Sequence, residues 1–129
     1  MLPAVILHLL PSSTWQELAG EERYLPAGYD ADGFVHCSGT DEVMLAVANR
    51  YYRDAPMEDG DELVVWDVDE SLLRAEVRWE APDPEPPPGV PAGTLFPHVY
   101  GPLELKAVVG VRRLVRDERG AFVGYAPID

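Results

Sequence analysis

Residues 5–9, VILHL, form a continuous apolar run that is interrupted only by His8. A short run of this kind is typical of a strand that is covered on both faces. The run has no basic segment before it, ends near Pro11, and is much shorter than the roughly 20 apolar residues that a membrane helix needs. We therefore interpret it as a buried strand rather than as a targeting signal or a membrane anchor.

Two helices are predicted in the sequence that follows this strand. Residues 14–17, TWQE, fit a capping box, so a short helix is expected from there to about Gly20. Residues 26–33 are rich in Pro, Gly and Asp, which predicts a loop. Residues 38–41, SGTD, give a second cap signal, and the helix expected over 41–53 presents an apolar face made of Val43, Val47 and Tyr51.

The rest of the chain is predicted to be rich in strands. Residues 82–93 contain six prolines in twelve residues, which predicts a surface loop that is placed to act as a lid beside a site. Apolar or alternating runs predict strands at residues 34–37, 63–68, 75–80, 95–100, 103–115 and 122–125. The order β-α-β-α followed by a β-rich half predicts a single α+β domain over residues 1–129.

Composition and charge narrow the class of function. A single cysteine, Cys37, cannot form an internal disulfide, which together with the apolar start favours a cytoplasmic protein. The net charge of −13 repels a polyanion, so we expect a small ligand or a protein partner, and no nucleic acid. The chain also has no glycine-rich phosphate loop.

The three histidines are the main candidates for chemistry, and each lies in or at the end of a strand-like run. They are either separate core or edge residues, each bonded to a backbone carbonyl, or they converge on one cleft. We favour convergence of His8, His36 and His98, because a buried strand position accepts Val or Ile with no polar cost.

Other chemistry is weakly indicated by the residue pattern. The histidines lack the close spacing of zinc motifs, so no metal is expected, although a three-histidine hydrolase site stays an alternative. Cys37 is expected in the core, and Ser38 is expected to cap a helix rather than act as a nucleophile. No carboxylate pair has a spacing that identifies acid–base catalysis, and Glu80 is expected to be solvated. Arg50 is a candidate phosphate contact.

Several motifs together resemble a known bacterial family. They are residues 5–8, VILH; Trp15; residues 33–38, GFVHCS; residues 47–53, VANRYYR; and residues 96–103, FPHVYGPL. This combination is similar to the family known as domain of unknown function 952, over about residues 4–115.

That family in turn resembles the ADP-ribosyltransferase superfamily, in particular its RNA 2′-phosphotransferase branch. The resemblance implies a split, mixed β-sheet with two N-terminal helices and a cleft that binds NAD or a related nucleotide. It implies that His8 contacts the ribose, and that His36 and Ser38 lie at the nicotinamide end. On a later strand, His98 is the candidate acid–base group and Tyr100 its stacking support.

The sequence departs from that superfamily in ways that bear on activity. Leu9 and Leu10 stand where Gly-Thr normally follows the first histidine, and no residue matches the catalytic Glu of the protein-modifying members. Three hypotheses follow: a transferase that uses NAD and a protein or other acceptor, a non-catalytic binding module on the same fold, and a metal-dependent hydrolase.

Overall fold

The computed structural model describes residues 4–57, 60–82 and 85–128 of the chain. These described residues form three α-helices, all in the first half of the chain, and nine strands, most of them in the second half. In chain order the elements are β1 Val5–Pro11, α1 Ser12–Glu17, β2 Arg23–Tyr24, α2 Tyr29–Asp32, β3 Val35–His36, α3 Asp41–Tyr51, β4 Leu63–Asp69, β5 Glu76–Glu80, β6 Phe96–Tyr100, β7 Leu103–Glu104, β8 Val108–Arg116 and β9 Phe122–Pro127. None of the described helices is long and apolar enough to cross a membrane.

The strands form three sheets. One sheet has the order β1-β4-β8-β9, the second β3-β6-β5, and the third is the pair β2-β7. Every strand pair in the described residues is antiparallel, so the expected mixed sheet is wrong. For β8 and β9 the reason is connectivity, because parallel neighbours need a long crossover connection and a tight turn joins these two strands. The broader prediction of a single α+β domain with a divided sheet is confirmed.

The two larger sheets meet at the outer side of β1. Leu7 and Ser38 form an isolated antiparallel bridge, and each backbone N–H donates to the other residue's carbonyl oxygen at 2.8 Å. This bridge gives β1 a neighbour on both sides, with β4 on one side and the segment that follows β3 on the other. The cleft described below opens where the two sheets diverge from this bridge.

Strand β1 is buried on both faces, as its apolar sequence predicts. One face of the four-stranded sheet carries a core cluster around Trp66 that includes Ile6, Leu10 and Val64. The opposite face packs on α3 through a cluster that includes Leu7, Val65, Met44 and Ala48. Alternate residues of a strand point to opposite faces, so His8 lies on the Trp66 side.

The helices differ from the prediction in three places. Helix α1 begins at Ser12, and Thr14 lies inside it rather than at its cap. The side chain of Asp61 accepts from both the backbone N–H and the hydroxyl of Ser13, at 3.1 and 2.7 Å, so a distant residue supplies the cap. Helix α2 lies within the predicted loop. On α3 the buried residues are Met44 and Ala48, whereas Tyr51 is 49% exposed.

The cap of α3 and most strands agree with the prediction. The hydroxyl of Thr40 accepts from the backbone N–H of Val43 at 3.2 Å. The expected strand over 103–115 is wrong, because a 3₁₀ turn at Leu105–Ala107 separates β7 from β8. Of the predicted proline-rich loop, residues 83–84 lie outside the described residues, and residues 85–93 contain neither helix nor strand.

Candidate functional site

All three histidines of the chain line one cavity of about 630 Å³. Residues of β1, β3, β6, α2, α3 and the proline-rich loop contribute to its wall. The volume is in the range of small-molecule sites, which are typically about 300–1,000 Å³. The predicted convergence is thus present in the fold, and it arises because β1, β3 and β6 meet at the junction of the two sheets.

His8 is a buried ring that donates one hydrogen bond and keeps the lone pair of its other nitrogen. It is 5% exposed, and its Nδ1 lies 2.9 Å from the carbonyl oxygen of His36. A carbonyl oxygen only accepts, so Nδ1 carries the proton. Burial lowers the pKa of His8 to about 4, and the ring is therefore neutral near pH 7. Nε2 keeps its lone pair and, within the residues that the structure describes, has no hydrogen-bond partner.

His36 lies at the mouth of the cavity. Its side chain is 57% exposed, and its Nε2 lies 3.0 Å from a carboxylate oxygen of Asp32, the last residue of α2. The pairing of β3 with β6 places His36 directly opposite His98, with ring centroids 5.9 Å apart. One residue thus joins the two other histidines, through its carbonyl to His8 and through its ring to His98.

His98 is held from two directions. It is 4% exposed, and its ring stacks on that of Phe34 with centroids 3.9 Å apart and planes inclined by 18°. Its Nδ1 lies 2.9 Å from a carboxylate oxygen of Glu80 in β5. When the ring is neutral, this carboxylate places the proton on Nδ1 and leaves the lone pair of Nε2 for a ligand.

Tyr100 supports Glu80 rather than the cavity. The Tyr100 hydroxyl donates to the same Glu80 oxygen that His98 contacts. These bonds, first from Tyr100 and then from His98, lower the pKa of Glu80, and the bond to Glu80 raises the pKa of Tyr100. Tyr100 itself does not line the cavity, and its ring lies under the guanidinium of Arg78 at 4.6 Å. Contrary to expectation, Tyr100 therefore does not stack on a ligand in the cavity but holds the carboxylate of Glu80 that bonds to His98.

The remaining predicted residues divide between the cavity wall and the surface. Ser38 is 1% exposed and lines the cavity, while its backbone forms the bridge to Leu7. Cys37 is 3% exposed, and burial raises the pKa of its thiol, so it is the core residue that the sequence predicts. Arg50 is exposed and does not line the cavity, although its guanidinium lies 5.3 Å from the ring centroid of Tyr51, which does.

The aromatic character of the wall was not foreseen from the sequence. Six aromatic side chains other than histidine line the cavity: Tyr24, Tyr29, Phe34, Tyr51, Tyr52 and Phe96. Three residues of the predicted lid, Pro82, Glu85 and the buried Pro87, also belong to the wall.

Three residues that hold the histidines were missed: Asp32, Phe34 and Glu80. Glu80 in particular is not simply solvated, as expected, but bonded to His98. The position of Glu80 follows from the pairing of β5 with β6, which places Glu80 opposite Phe96 on the face that carries His98. A prediction of this register would have placed Glu80 near His98.

The geometry argues against the three-histidine metal site. Within the described residues, no group of three or more His, Cys, Asp or Glu side chains is placed to hold a metal ion. The metal-dependent hydrolase hypothesis therefore has no geometric support in this part of the chain.

Comparisons with known proteins extend over nearly the whole domain. A family model described as "Protein of unknown function (DUF952)" matches residues 9–111. The crystal structure of the protein CC0527 from Caulobacter crescentus shares 27% identity, with a TM-score of 0.70, over 92% of this chain and 93% of that chain. Its solution NMR structure shares 26% identity, with a TM-score of 0.66, over 91% and 90% of the two chains. No curated protein matches this chain.

Proposed function

We propose a function from the premise that the chain belongs to the DUF952 family of proteins of unknown function. The proposal is that its cavity binds the nicotinamide–ribose end of NAD or of a related nucleotide. In this proposal the domain is a divergent relative of the ADP-ribosyltransferases. The motif order of His8, Trp15 and residues 36–38 supports the relationship. The contents of the cavity support the choice of ligand.

The unpartnered Nε2 of His8 carries the proposal. A buried polar atom without a partner costs folding free energy of about 1–3 kcal/mol, so its retention favours a role that is fulfilled only when a ligand is bound. Because His8 is neutral and its Nδ1 proton is bonded to the carbonyl oxygen of His36, Nε2 can only accept. The hydroxyl groups of a ribose are donors of the required kind, and because Nε2 is fully buried in this structure, a hydroxyl reaches it only when the adjoining side chains move.

The aromatic wall supports a planar ring as the other part of the ligand. Six aromatic rings lie on the wall, and offset stacking with a planar ligand ring is favourable at centroid distances of about 4.5–7 Å. His36 and Ser38 lie on the same wall and supply polar groups for a carboxamide. We assign to them the nicotinamide end of the ligand, and to His8 the ribose.

Transferase activity is the second level of the proposal, and the bond between Glu80 and His98 favours it. NAD supplies an ADP-ribosyl group, which an acceptor oxygen takes as nicotinamide leaves uncharged. Nε2 of His98 takes the proton of the acceptor hydroxyl, and Glu80 stabilises the resulting imidazolium through Nδ1. Without a residue matching the superfamily's catalytic Glu, binding without turnover stays the alternative.

The test is a calorimetric titration of the purified chain with NAD and with nicotinamide riboside, together with chromatography for released nicotinamide. Binding of either ligand supports the proposal, and nicotinamide release that is lost in Glu80→Gln separates the transferase from the binding module. His8→Phe removes the acceptor and is expected to abolish binding, whereas Arg50→Ala serves as a surface control and is expected to bind as the wild type does. If neither compound binds the folded wild type, the proposed function is wrong.

A further inference from the structure

The charged side chains of the cavity wall are acidic. Asp32 and Glu85 line the cavity, and among the described residues of its wall there is no lysine or arginine. Asp32 is bonded to Nε2 of His36, so its carboxylate is held at the mouth rather than directed at random into solvent. A ligand entering the cavity therefore passes at least one fixed negative charge.

The buried ring of His8 does not compensate for these charges. His8 is neutral and offers only a lone pair, which repels an anionic oxygen as much as it attracts a donor. A phosphate monoester carries about −1.5 to −2 charges near pH 7 and needs N–H donors or cations. Neither is offered by His8, Asp32 or Glu85.

The aromatic wall favours the opposite charge. The face of an aromatic ring attracts a cation by about 0.5–2 kcal/mol, and sites for quaternary ammonium groups are built from several such rings. Here six rings surround the cavity, with two carboxylates beside them. The guanidinium of Arg50 lies over Tyr51, but Arg50 is not part of the wall.

We infer that the cavity selects a cationic, unphosphorylated nucleoside with a free hydroxyl donor, and that it discriminates against the corresponding nucleotide. The inference rests on the proposed function and specifies its ligand class. The oxidised nicotinamide ring is a cation that stacks on the aromatic wall, and a ribose hydroxyl donates to His8. A phosphate on the 5′ oxygen of this ribose, in the mononucleotide or in NAD, lies near the acidic wall and weakens binding, so the riboside is the preferred form of the ligand.

The test compares nicotinamide riboside with nicotinamide mononucleotide, which differ only by the 5′-phosphate. Titrations are made at about pH 8, where His8, whose pKa is lowered to about 4 by burial, is neutral. At low ionic strength we expect the riboside to bind about tenfold more tightly than the mononucleotide. At about 1 M salt, where the screening length is about 3 Å, the ratio of the two affinities is expected to fall toward one.

Variants locate the origin of the selectivity. Asp32→Asn and Glu85→Gln each remove one charge from the wall and are expected to lower the ratio of the riboside affinity to the mononucleotide affinity severalfold. Glu118→Gln removes a charge from the exposed turn before β9 and is expected to leave this ratio unchanged. A mononucleotide that binds as tightly as the riboside would overturn the inference and leave the proposed function standing. An affinity ratio that the Asp32 and Glu85 variants leave unchanged would overturn it as well. If the riboside, the mononucleotide and NAD all fail to bind, the proposed function falls and this inference falls with it.

Discussion

His8 couples the cavity to the stability of the fold through its protonation. Its pKa is about 4 in the folded protein because of burial, and about 6.5 in an unfolded chain. Between these values the unfolded state binds more protons than the folded state, so the free energy of unfolding decreases as the pH falls from about 6.5 to about 4. Above about pH 6.5 the contribution of neutral His8 to the free energy of unfolding is fully present.

We predict that His8→Gln removes this pH dependence. Glutamine keeps a donor for the carbonyl oxygen of His36 and an acceptor on the cavity side but does not titrate. Urea unfolding at a series of pH values is expected to show that the wild type loses about 3 kcal/mol more than the variant between about pH 7 and pH 4. The carboxylates titrate in both proteins and cancel in the difference. Parallel stability curves would show that His8 is not buried in its neutral form.

A second residue-scale prediction concerns Glu80 and Tyr100. The carboxylate of Glu80 raises the pKa of Tyr100 by accepting its hydroxyl proton in a hydrogen bond. In Glu80→Gln we expect the pKa of Tyr100 to fall toward the ordinary tyrosine value of about 10, as followed by NMR of tyrosine ring carbons. The pKa of Tyr125, which burial raises, is the internal control and is expected to stay in place. An unchanged Tyr100 titration would contradict the bonded chain from Tyr100 through Glu80 to His98.

At the scale of elements, one side chain of α3, that of Asn49, makes two hydrogen bonds to the last strand. The amide of Asn49 donates to the carbonyl oxygen of Phe122 at 3.0 Å and accepts from its backbone N–H at 2.8 Å. Removing this amide leaves both backbone groups of a buried residue without their partner. Asn49→Ala is therefore expected to lower the free energy of unfolding by about 1–3 kcal/mol.

Equilibrium unfolding in urea measures this effect, and Arg50→Ala on the exposed side of the same helix is the matched control, with an expected change below about 0.5 kcal/mol. Equal losses in the two variants would mean that the helix itself, rather than its attachment to β9, had been weakened.

The elements that the sequence predicts well are those whose signal is local. Strands β1 and β4 are continuous apolar runs, and the cap of α3 is a threonine followed closely by its partner N–H, so each can be identified without knowing the fold. The start of α1 is different, because its cap comes from Asp61 in a distant loop. The 3₁₀ turn between β7 and β8 interrupts a stretch whose sequence predicts one continuous strand. Residues 105–107 contain no proline or glycine that would predict the turn.

The same distinction holds for the site. His8, His36 and His98 stand out because each is a polar residue in an apolar run, which is visible in the sequence. Their partners are not visible in this way: Glu80 reaches His98 only through the register of β5 on β6, and it looks like an ordinary charge at the end of an alternating strand. What binds or reacts at the three rings stays a prediction that the experiments above decide.

At the scale of the whole molecule, an isolated β-bridge between Leu7 and Ser38 connects the two larger sheets beside the cavity. The proposed ligand contacts both sides of this bridge, with His8 on β1 and His36 at the end of β3. A ligand that holds the two sheets together blocks any local opening at the bridge, and occupancy at 100 times the dissociation constant stabilises the bound form by about 2.7 kcal/mol. That corresponds to about a hundredfold slower exchange of any amide that exchanges only when the site is open.

We therefore predict that saturating nicotinamide riboside slows hydrogen exchange at the amides of Leu7 and Ser38 by about a hundredfold. Amides that pair β8 with β9 lie away from the cavity and fray independently of it, so their exchange by local opening is expected to change little. The comparison separates a ligand at the junction of the sheets from a ligand bound elsewhere. If the β8 and β9 amides were protected while those of Leu7 and Ser38 were not, the ligand would bind outside the histidine cavity. Equal slowing at all of these amides would instead mean that the junction opens only when the whole domain unfolds.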